Sequence, residues 1–259
     1  GCRGSLSQKV MQQFNLRQNC QPQTYGLGIK EIWSTPSSLH QTGKVTHTIG
    51  WPLDNATYGG SFIYHLDDKK VAIGFVVGLD YSNPWLDPFA EFQRFKTHPS
   101  VAALLEGGER LNYGAKSLVE GGFQSIPKLT FPGGVLVGDA AGFLNVPKIK
   151  GTHTAMKSAM LAAEAVFNAV VNNQTEASEY PIQLQKSWVW SELYTVRNIR
   201  PSFRWGLWPA LAYSAIETCG FNGKIAWTLN QQAGKTTLKT AKKPNQNNFT
   251  KTDGNLKFD

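Results

Sequence analysis

The stretch "VLVGDAAGFLNVPKIKGTHTAMKSAMLAAEA", residues 135–165, joins a short apolar run, an acid between glycines and a helix rich in small residues. We interpret the apolar run as a buried strand that ends at Gly138, where the missing Cβ permits close approach to the backbone. Asp139 then follows the strand, where its carboxylate can accept hydrogen bonds from ligand hydroxyl groups. Gly142 gives the next loop the freedom to turn N–H groups toward a phosphate or a ring oxygen.

The helix of this stretch is predicted to begin near Thr152, so that its first-turn N–H groups and partial positive charge face the same ligand. That field favours an anionic group such as a reduced flavin. Small side chains on neighbouring faces allow close packing of another element, and they are Ala155, Ser158, Ala159, Ala162 and Ala163. An acid after a strand also caps ordinary turns, and alanine-rich helices occur in many cores, so the spacing alone leaves both interpretations open.

The composition indicates a globular protein. The 259 residues are enough for one large domain or two modest ones, and 41% apolar with 17% charged residues suits an α/β or α+β fold. The formal charge of +8 favours an anionic partner such as nucleic acid, phospholipid or an acidic protein. Five lysines lie in a polar tail between Lys235 and Lys251 without a recognised binding motif, so we predict no nucleic-acid partner.

The cysteines and histidines argue against a metal site on this chain. The three cysteines lie far apart and form no CxxC pair, and the five histidines show no HxxxH or HExxH spacing. We therefore predict no metal site, no iron–sulfur ligands and no disulfide framework in this sequence.

The first half of the chain is typical of a short helix followed by an antiparallel sheet. Residues 4–16 are predicted to be helical, and residues 25–33 and 45–51 carry the β-formers of strands. The strings "TYGGSFIYHL" and "VAIGFVVGLD" flank the turn "DDKK", which predicts a hairpin with one buried face. Phe62, Tyr64 and Leu66 would share one face of it.

Two further elements follow the hairpin. Residues 87–97, "DPFAEFQRFKT", place three phenylalanines at helical spacing after an Asp-Pro start, which predicts a helix with a core-facing stripe of Phe89, Phe92 and Phe95. Residues 110–116 are predicted to form another strand.

The last third of the chain is rich in tryptophan. Residues 203–220, "FRWGLWPALAYSAIETCG", are mostly apolar but contain Arg204, Pro209 and Glu217. A bilayer span needs about 20 consecutive apolar residues, so this segment is too short to cross a membrane. The final string, "KKPNQNNFTKTDGNLKFD", is predicted to be a polar connector rather than a folded unit.

Several long strings are specific enough to compare with known families. They are "GCRGSLS", "NCQPQTYGLGIKEIW", "HTIGWPLDNATYGGSFIYHL", "VVGLDYSNPW", "EFQRFKTHPS", "SWVWSELYTVRNIRPSF" and residues 121–167, which contain most of the opening stretch. Together they closely resemble the electron-transfer flavoprotein–ubiquinone oxidoreductase family. The resemblance covers nearly the whole chain and weakens after about residue 203.

The resemblance implies a combined α/β and α+β fold, with part of a Rossmann-like FAD-binding domain and an antiparallel-sheet quinone-binding domain. Residues 1–24 and 128–175 would be parts of the FAD-binding domain, and residues 25–127 the ubiquinone-binding domain. Residues 176–235 would be a helical, membrane-associated segment. Residues 236–259 would be a polar linker toward an iron–sulfur module.

The resemblance also implies binding residues. FAD would contact residues in and beside the glycine-bounded acid, which are Gly138, Asp139, Ala140, Ala141, Gly142, Asn145, Lys150, Gly151 and Thr152. Ubiquinone would contact Tyr58, Gly59 and Gly60, where two glycines leave room for backbone groups to reach a quinone carbonyl, although spacing alone favours a glycine bulge. Because the redox chemistry belongs to the cofactors, we assign no catalytic acid or base.

Members of the family oxidise reduced electron-transfer flavoprotein and pass electrons through FAD and a 4Fe-4S cluster to ubiquinone. The resemblance therefore implies electron-transfer flavoprotein and ubiquinone as partners. It also implies monotopic contact of residues 203–220 with a bacterial cytoplasmic or mitochondrial inner membrane, while a soluble surface segment remains an alternative. The string "GCRGSLS" resembles a second flavin-contacting motif.

Two of the family's motifs are absent from this sequence. No GxGxxG follows an early strand, and no cysteine cluster lies near the end to ligate a 4Fe-4S group. We therefore expect a central fragment of a longer protein that is inactive by itself. The alternatives are another FAD-dependent reductase or hydroxylase of the same fold, and a non-catalytic module that binds a membrane.

Overall fold

The computed structural model describes residues 1–241, and the chain divides into two units. The first unit consists of Gly1–Tyr25 and Leu118–Ala233, and the second of Gly26–Ser117 with the described residues from Gly234 onward. The strands are β1 (Tyr25–Ser34), β2 (Val45–Ile49), β3 (Gly59–His65), β4 (Lys70–Gly78), β5 (Glu109–Val119), β6 (Thr130–Phe131) and β7 (Gly134–Val135). The helices are α1 (Ser7–Gln13), α2 (Pro88–Lys96), α3 (Pro99–Leu105), α4 (Gly138–Ala141), α5 (Thr152–Val171), α6 (Glu179–Lys186), α7 (Trp188–Thr195), α8 (Ile199–Ser202) and α9 (Leu207–Ala215). The predicted linker 236–259 lies mostly outside the described residues.

The second unit is built on a five-stranded sheet in the order β2-β3-β4-β1-β5. The predicted hairpin is confirmed, because β3 and β4 pair antiparallel with Ile63 opposite Ile73. Phe62 and Tyr64 share a face, as predicted, but this is the partly exposed face, and Ile63 points into the core. The ring of Phe62 covers Gly74, where an added Cβ would come within 2.1 Å of the ring.

Helix α2 covers the buried face of this sheet. The Asp87 carboxylate caps the helix by accepting hydrogen bonds from the N–H groups of Phe89 and Ala90. Phe92 and Phe95 are buried and lie 6.3 and 5.8 Å from the ring of Phe75. The predicted aromatic stripe is therefore confirmed for these two residues and wrong for Phe89, which is 38% exposed in the first turn.

A charged cluster lies inside the second unit. Lys96 Nζ donates to Glu31 Oε1 and Oε2 at 3.1 and 3.0 Å, and Trp33 Nε1 donates to Glu31 Oε2 at 2.7 Å. Arg110 adds a longer ion pair to Glu31 at 3.8 Å. The Lys96 and Glu31 side chains are 0% and 1% exposed, so their charges are stabilised by each other and by these donors rather than by water.

The first unit is mainly helical. Its core joins α5, α6 and α7, with Phe143, Ala165, Tyr180, Leu184 and Leu193 among the buried side chains. The sheet of this unit is the antiparallel pair β6–β7. Together with the larger sheet, these helices confirm the predicted mixture of helical and antiparallel structure.

The opening stretch differs in detail from its prediction. The strand is only Gly134–Val135, and Gly138–Ala141 forms one helical turn instead of a loop. The helical turn begins at Gly138, whose φ of 55° turns the chain directly after the extended residue Val137. Helix α5 begins at Thr152, as predicted. Of its small residues, Ser158 and Ala162 are buried, whereas Ala159 and Ala163 are exposed.

The tryptophan-rich segment forms short helices with exposed apolar side chains. Trp208 on α9 is 67% exposed, and the other large exposed side chains of this region are Trp205, Ile216, Phe221 and Trp227. Within residues 1–241, we find no helix with the length and apolar character required to span a bilayer.

Candidate functional site

The turn at Gly138 is fitted closely to the start of α5. The N–H of Gly138 donates to Ser158 Oγ at 3.1 Å, and Ser158 Oγ donates in turn to the carbonyl of Ala155. A Cβ on Gly138 would lie 3.0 Å from the Cβ of Ala155. The positive φ and this short distance both require glycine at position 138. Gly142 ends the turn in the left-handed conformation.

Asp139 lies on this turn beside the first residues of α5. Its Oδ1 would be 3.3 Å from a Cβ at Gly151, so the carboxylate and the helix start are neighbours. Within residues 1–241, no side chain or N–H group is paired with this carboxylate. Gly151 is the N-cap of α5 and supplies no side-chain cap, so the first N–H groups are left without one. A free acceptor and open donors therefore lie side by side.

The loop between α4 and α5 is closed by a bridge between Asn145 and Lys150. The N–H of Asn145 donates to the carbonyl of Lys150 at 3.0 Å, and the N–H of Lys150 donates back at 3.3 Å. Asn145 is fully buried, and its Oδ1 accepts from the N–H of Lys148 at 3.2 Å. Thr154 ties the helix start to this loop by donating to the carbonyls of Phe143 and Gly151.

Glu192 of α7 holds the loop from outside. Its Oε1 accepts from Asn145 Nδ2 at 2.7 Å and from His153 Nε2 at 2.8 Å, and Lys148 Nζ lies 3.0 Å from Oε2. The His153 ring also stacks on Trp188, with centroids 5.6 Å apart. Burial raises the pKa of Glu192, but the hydrogen bonds from His153, Asn145 and Lys148 outweigh it and lower the pKa below its ordinary value.

The structure brings the predicted flavin residues together in the first unit. Gly138, Asp139 and Gly142 form the turn, and Gly151 with Thr152 forms the adjacent helix start. Ala140 and Ala141 lie within the turn, and Ala141 is fully buried. Lys150 is exposed at the end of the loop, whereas the side chain of Asn145 is engaged by Glu192 and the loop backbone.

The predicted quinone residues lie at the start of β3 in the second unit. Gly59 and Gly60 pair in regular register with Val77 and Val76, so the glycines form no bulge. A Cβ on Gly59 would come within 2.3 Å of Leu53, and one on Gly60 within 2.3 Å of the carbonyl of Thr48. The carbonyl of Tyr58 accepts from the N–H of Gly78 at 2.8 Å. Both glycines are thus required for close packing around this strand.

Sequence reasoning missed Glu192, Trp188 and His153. Trp188 and Glu192 are four residues apart and so lie on one face of α7, a spacing that is visible in the sequence. Nothing in the sequence indicates that this face meets the loop before α5, because Glu192 and Asn145 are 47 residues apart.

Comparison with known proteins gives consistent results. Residues 25–118 match a family model described as "ETF-QO, ubiquinone-binding". The chain is 52%, 51% and 53% identical to mitochondrial electron transfer flavoprotein-ubiquinone oxidoreductases of Bos taurus, Homo sapiens and Arabidopsis thaliana. These alignments cover 100% of this chain but 44%, 44% and 41% of the relatives, so the chain spans less than half of their length.

Two solved structures have a similar fold. The flavin-dependent brominase Bmp2 has a TM-score of 0.50 at 16% identity, over 82% of this chain and 53% of that chain. Halogenase PltM has a TM-score of 0.50 at 14% identity, over 77% of this chain and 42% of that chain. The molecule therefore has an α+β fold that also occurs in a flavin-dependent enzyme. By sequence, the chain is about half identical over its whole length to electron transfer flavoprotein–ubiquinone oxidoreductases, which confirms the resemblance of its strings.

Proposed function

We propose that this chain is part of an oxidoreductase that passes electrons from reduced electron-transfer flavoprotein, through FAD, to ubiquinone. The observation that carries the proposal is the alignment of the whole chain, at about half identical residues, with relatives that bear this name. A 4Fe-4S cluster would belong to the complete protein. Within residues 1–241, no three His, Cys, Asp or Glu side chains lie together as a candidate metal site. The comparisons do not favour another FAD-dependent reductase or hydroxylase.

The turn at Gly138 and the start of α5 would hold the flavin. The unpaired carboxylate of Asp139 would accept hydrogen bonds from hydroxyl groups of FAD, and the open N–H groups at Gly151 and Thr152 would face an anionic part of it. The remaining predicted contacts, Gly138, Ala140, Ala141, Gly142, Asn145 and Lys150, surround these groups. FAD itself would supply the electron transfer, and the chain would supply binding and orientation.

The sheet unit would receive ubiquinone. The match of residues 25–118 to a ubiquinone-binding model supports this assignment. Tyr58, Gly59 and Gly60 would contact the quinone at the start of β3. Because the two glycines already serve strand packing, a quinone contact there would be a second use of the same backbone.

The exposed tryptophans after residue 203 would contact a membrane surface. Trp208 and Trp205 present an apolar body with a polar N–H, as side chains at a membrane interface commonly do. The relatives are named as mitochondrial, which supports peripheral attachment to the inner membrane more than to a bacterial membrane. We retain the predicted division of the chain into flavin, quinone, membrane-associated and linker parts as part of this proposal.

Flavin binding is tested by titrating the complete gene product with FAD. We expect Gly138→Ala to weaken binding by about tenfold or more, because a side chain there pushes against Ala155 at the start of α5. Gly133→Ala is the matched control, since Gly133 also has a positive φ but nothing within 4 Å of an added Cβ. Equal binding by both variants would contradict the placement of the flavin at this turn.

The redox activity is tested with the complete gene product. We expect reduced electron-transfer flavoprotein to drive ubiquinone reduction, with no NADPH-dependent hydroxylation or alkene reduction. Hydroxylation without quinone reduction would instead support the alternative class of flavoenzyme.

A further inference from the structure

One face of α7 is directed at the start of α5. Trp188 and Glu192 are separated by about one helical turn and both contact His153, the second residue of α5. The Trp188 ring is parallel to the His153 ring within 3°, and Glu192 Oε1 lies 2.8 Å from His153 Nε2. The imidazole is thus fixed both by its face and by its edge.

The Glu192 carboxylate connects three parts of the candidate flavin site. Asn145 begins the bridged loop, Lys148 lies within the loop and His153 lies in the first turn of α5. Each of them directs a side-chain nitrogen at Glu192, at 2.7, 3.0 and 2.8 Å. These hydrogen bonds are charge-assisted, since the acceptor is an ionised carboxylate.

Asn145 depends on Glu192 for its orientation. Its side chain is fully buried, and its Oδ1 accepts from the N–H of Lys148 at 3.2 Å while Nδ2 donates to Glu192. Without Glu192, that buried Nδ2 loses its charged acceptor. Rotation of the amide to reach another acceptor would break the hydrogen bond from the N–H of Lys148 to Asn145 Oδ1, and the loop would become less rigid.

We propose that Glu192 is a positioning residue of the candidate flavin site, which holds the 145–150 loop and the start of α5 in the arrangement that a flavin requires. It acts through Asn145, Lys148 and His153 rather than by touching the ligand. The proposal rests on the proposed function, because it takes this loop and helix start to be flavin-binding. Binding residues need such support, because their side chains and backbone keep the geometry that a ligand requires only when neighbouring residues hold them in place.

Glu176 provides a matched control in the same unit. Its carboxylate accepts from Thr130 Oγ1 at 2.6 Å and pairs with Lys128 Nζ at 2.8 Å, and its side chain is 28% exposed against 20% for Glu192. Hydrogen bonds from Lys128 and Thr130 lower the pKa of Glu176, and the pKa of Glu192 is likewise lowered by its hydrogen bonds. Glu176 contacts none of the predicted flavin residues in these bonds.

The first measurement is amide hydrogen exchange on the chain without ligand. We expect Glu192→Ala to speed exchange at the N–H groups of Lys148 and Lys150 by about tenfold, and Glu192→Gln to speed it less, because Gln keeps one acceptor oxygen. Glu176→Gln should leave both N–H groups unchanged. Loop exchange in Glu192→Ala equal to that of the unsubstituted chain would overturn the proposal.

The second measurement is FAD affinity by titration of the same variants, made in the complete gene product. We expect the affinity for FAD to fall by about tenfold in Glu192→Ala and by less in Glu192→Gln. The control variant Glu176→Gln should bind FAD with unchanged affinity. Faster loop exchange with unchanged FAD affinity would overturn the positioning role alone. If the unsubstituted complete gene product binds no FAD while its loop responds as expected, the flavin site of the proposed function fails and the positioning role falls with it.

Discussion

Two carboxylates of this protein each interact with three nitrogen-bearing side chains, but one of them is buried and the other is near solvent. Glu31 receives Lys96, Trp33 and Arg110 inside the sheet unit, and Glu192 receives Asn145, Lys148 and His153 at the candidate flavin site. The side chains of Glu31 and Lys96 are closed to water, whereas Lys148 is 57% exposed. Loss of a donor therefore leaves an unsolvated charge at Glu31, but water can replace a donor at Glu192. The first cluster should determine stability, and the second should determine local geometry.

The largest expected effect is at Lys96. Lys96→Met leaves the buried charge of Glu31 without its main partner, and we expect the free energy of unfolding to fall by about 3–5 kcal/mol. Urea unfolding followed by circular dichroism measures this loss. The double variant Glu31→Gln with Lys96→Met should recover most of it, because Gln can still accept from Trp33. If the free energy of unfolding of Lys96→Met lies within about 1 kcal/mol of that of the unsubstituted chain, the proposed difference between the two carboxylates is contradicted.

Asn145→Ala is expected to have the next largest effect. It removes a buried amide that donates to Glu192 and accepts from the backbone of the loop, so we expect a loss of about 1–2 kcal/mol. Chemical unfolding measures the loss of stability, and faster hydrogen exchange at the Lys150 N–H shows that the loss involves the loop. Asn168→Ala is the control, because Asn168 donates to Glu179 at 3.0 Å on an exposed surface. If both variants lose the same stability, burial of Asn145 contributes nothing.

The elements of the sheet unit that follow local signals could be predicted from the sequence. Alternation on both sides of "DDKK" predicted the hairpin of β3 and β4, and the Asp-Pro pair predicted the start of α2 at its capping residue Asp87. The buried cluster could not be predicted, because Glu31 and Lys96 are 65 residues apart and meet only when α2 packs on the sheet. Sequence patterns record periodicity along the chain but not which charges meet across it.

The same limit applies to the candidate site. The start of α5 at Thr152 was predicted correctly, since small residues at helical spacing follow a glycine. The strand expected to reach Gly138 is paired only to Val135, although Val137 is still extended, and the positive φ of Gly138 then begins a helical turn. Glu192 was missed, since its role comes entirely from the packing of α7 beside the loop. The assignment of ligands to these residues came from resemblance and stays a prediction.

Acid should affect the hydrogen bonds around Glu192 by protonating its carboxylate. The pKa of Glu192 is lowered in the folded chain, so its hydrogen bonds stabilise the fold above the ordinary Glu value of about 4.3 and are lost as pH falls through the lowered pKa. We expect the NMR signals of the Asn145 side-chain amide to shift in this acid range, with a smaller loss of stability than Asn145→Ala causes. Glu192→Gln should abolish the transition. The same transition in that variant would assign it to another group.

The smallest expected effect is at Lys148, and it gives the sharpest form of the comparison. Lys148–Glu192 and Lys96–Glu31 have the same shortest N–O distance, 3.0 Å, so a difference between them does not come from that distance. Lys96 is buried and contacts both carboxylate oxygens, whereas Lys148 is exposed. We expect Lys148→Met to cost about 0–1 kcal/mol, and less in high salt, because water and two other donors still solvate Glu192. Chemical unfolding at low and at high salt measures the loss of stability and its dependence on salt. A cost close to that of Lys96→Met would show that ion-pair distance, rather than exclusion of water, determines the strength of these pairs.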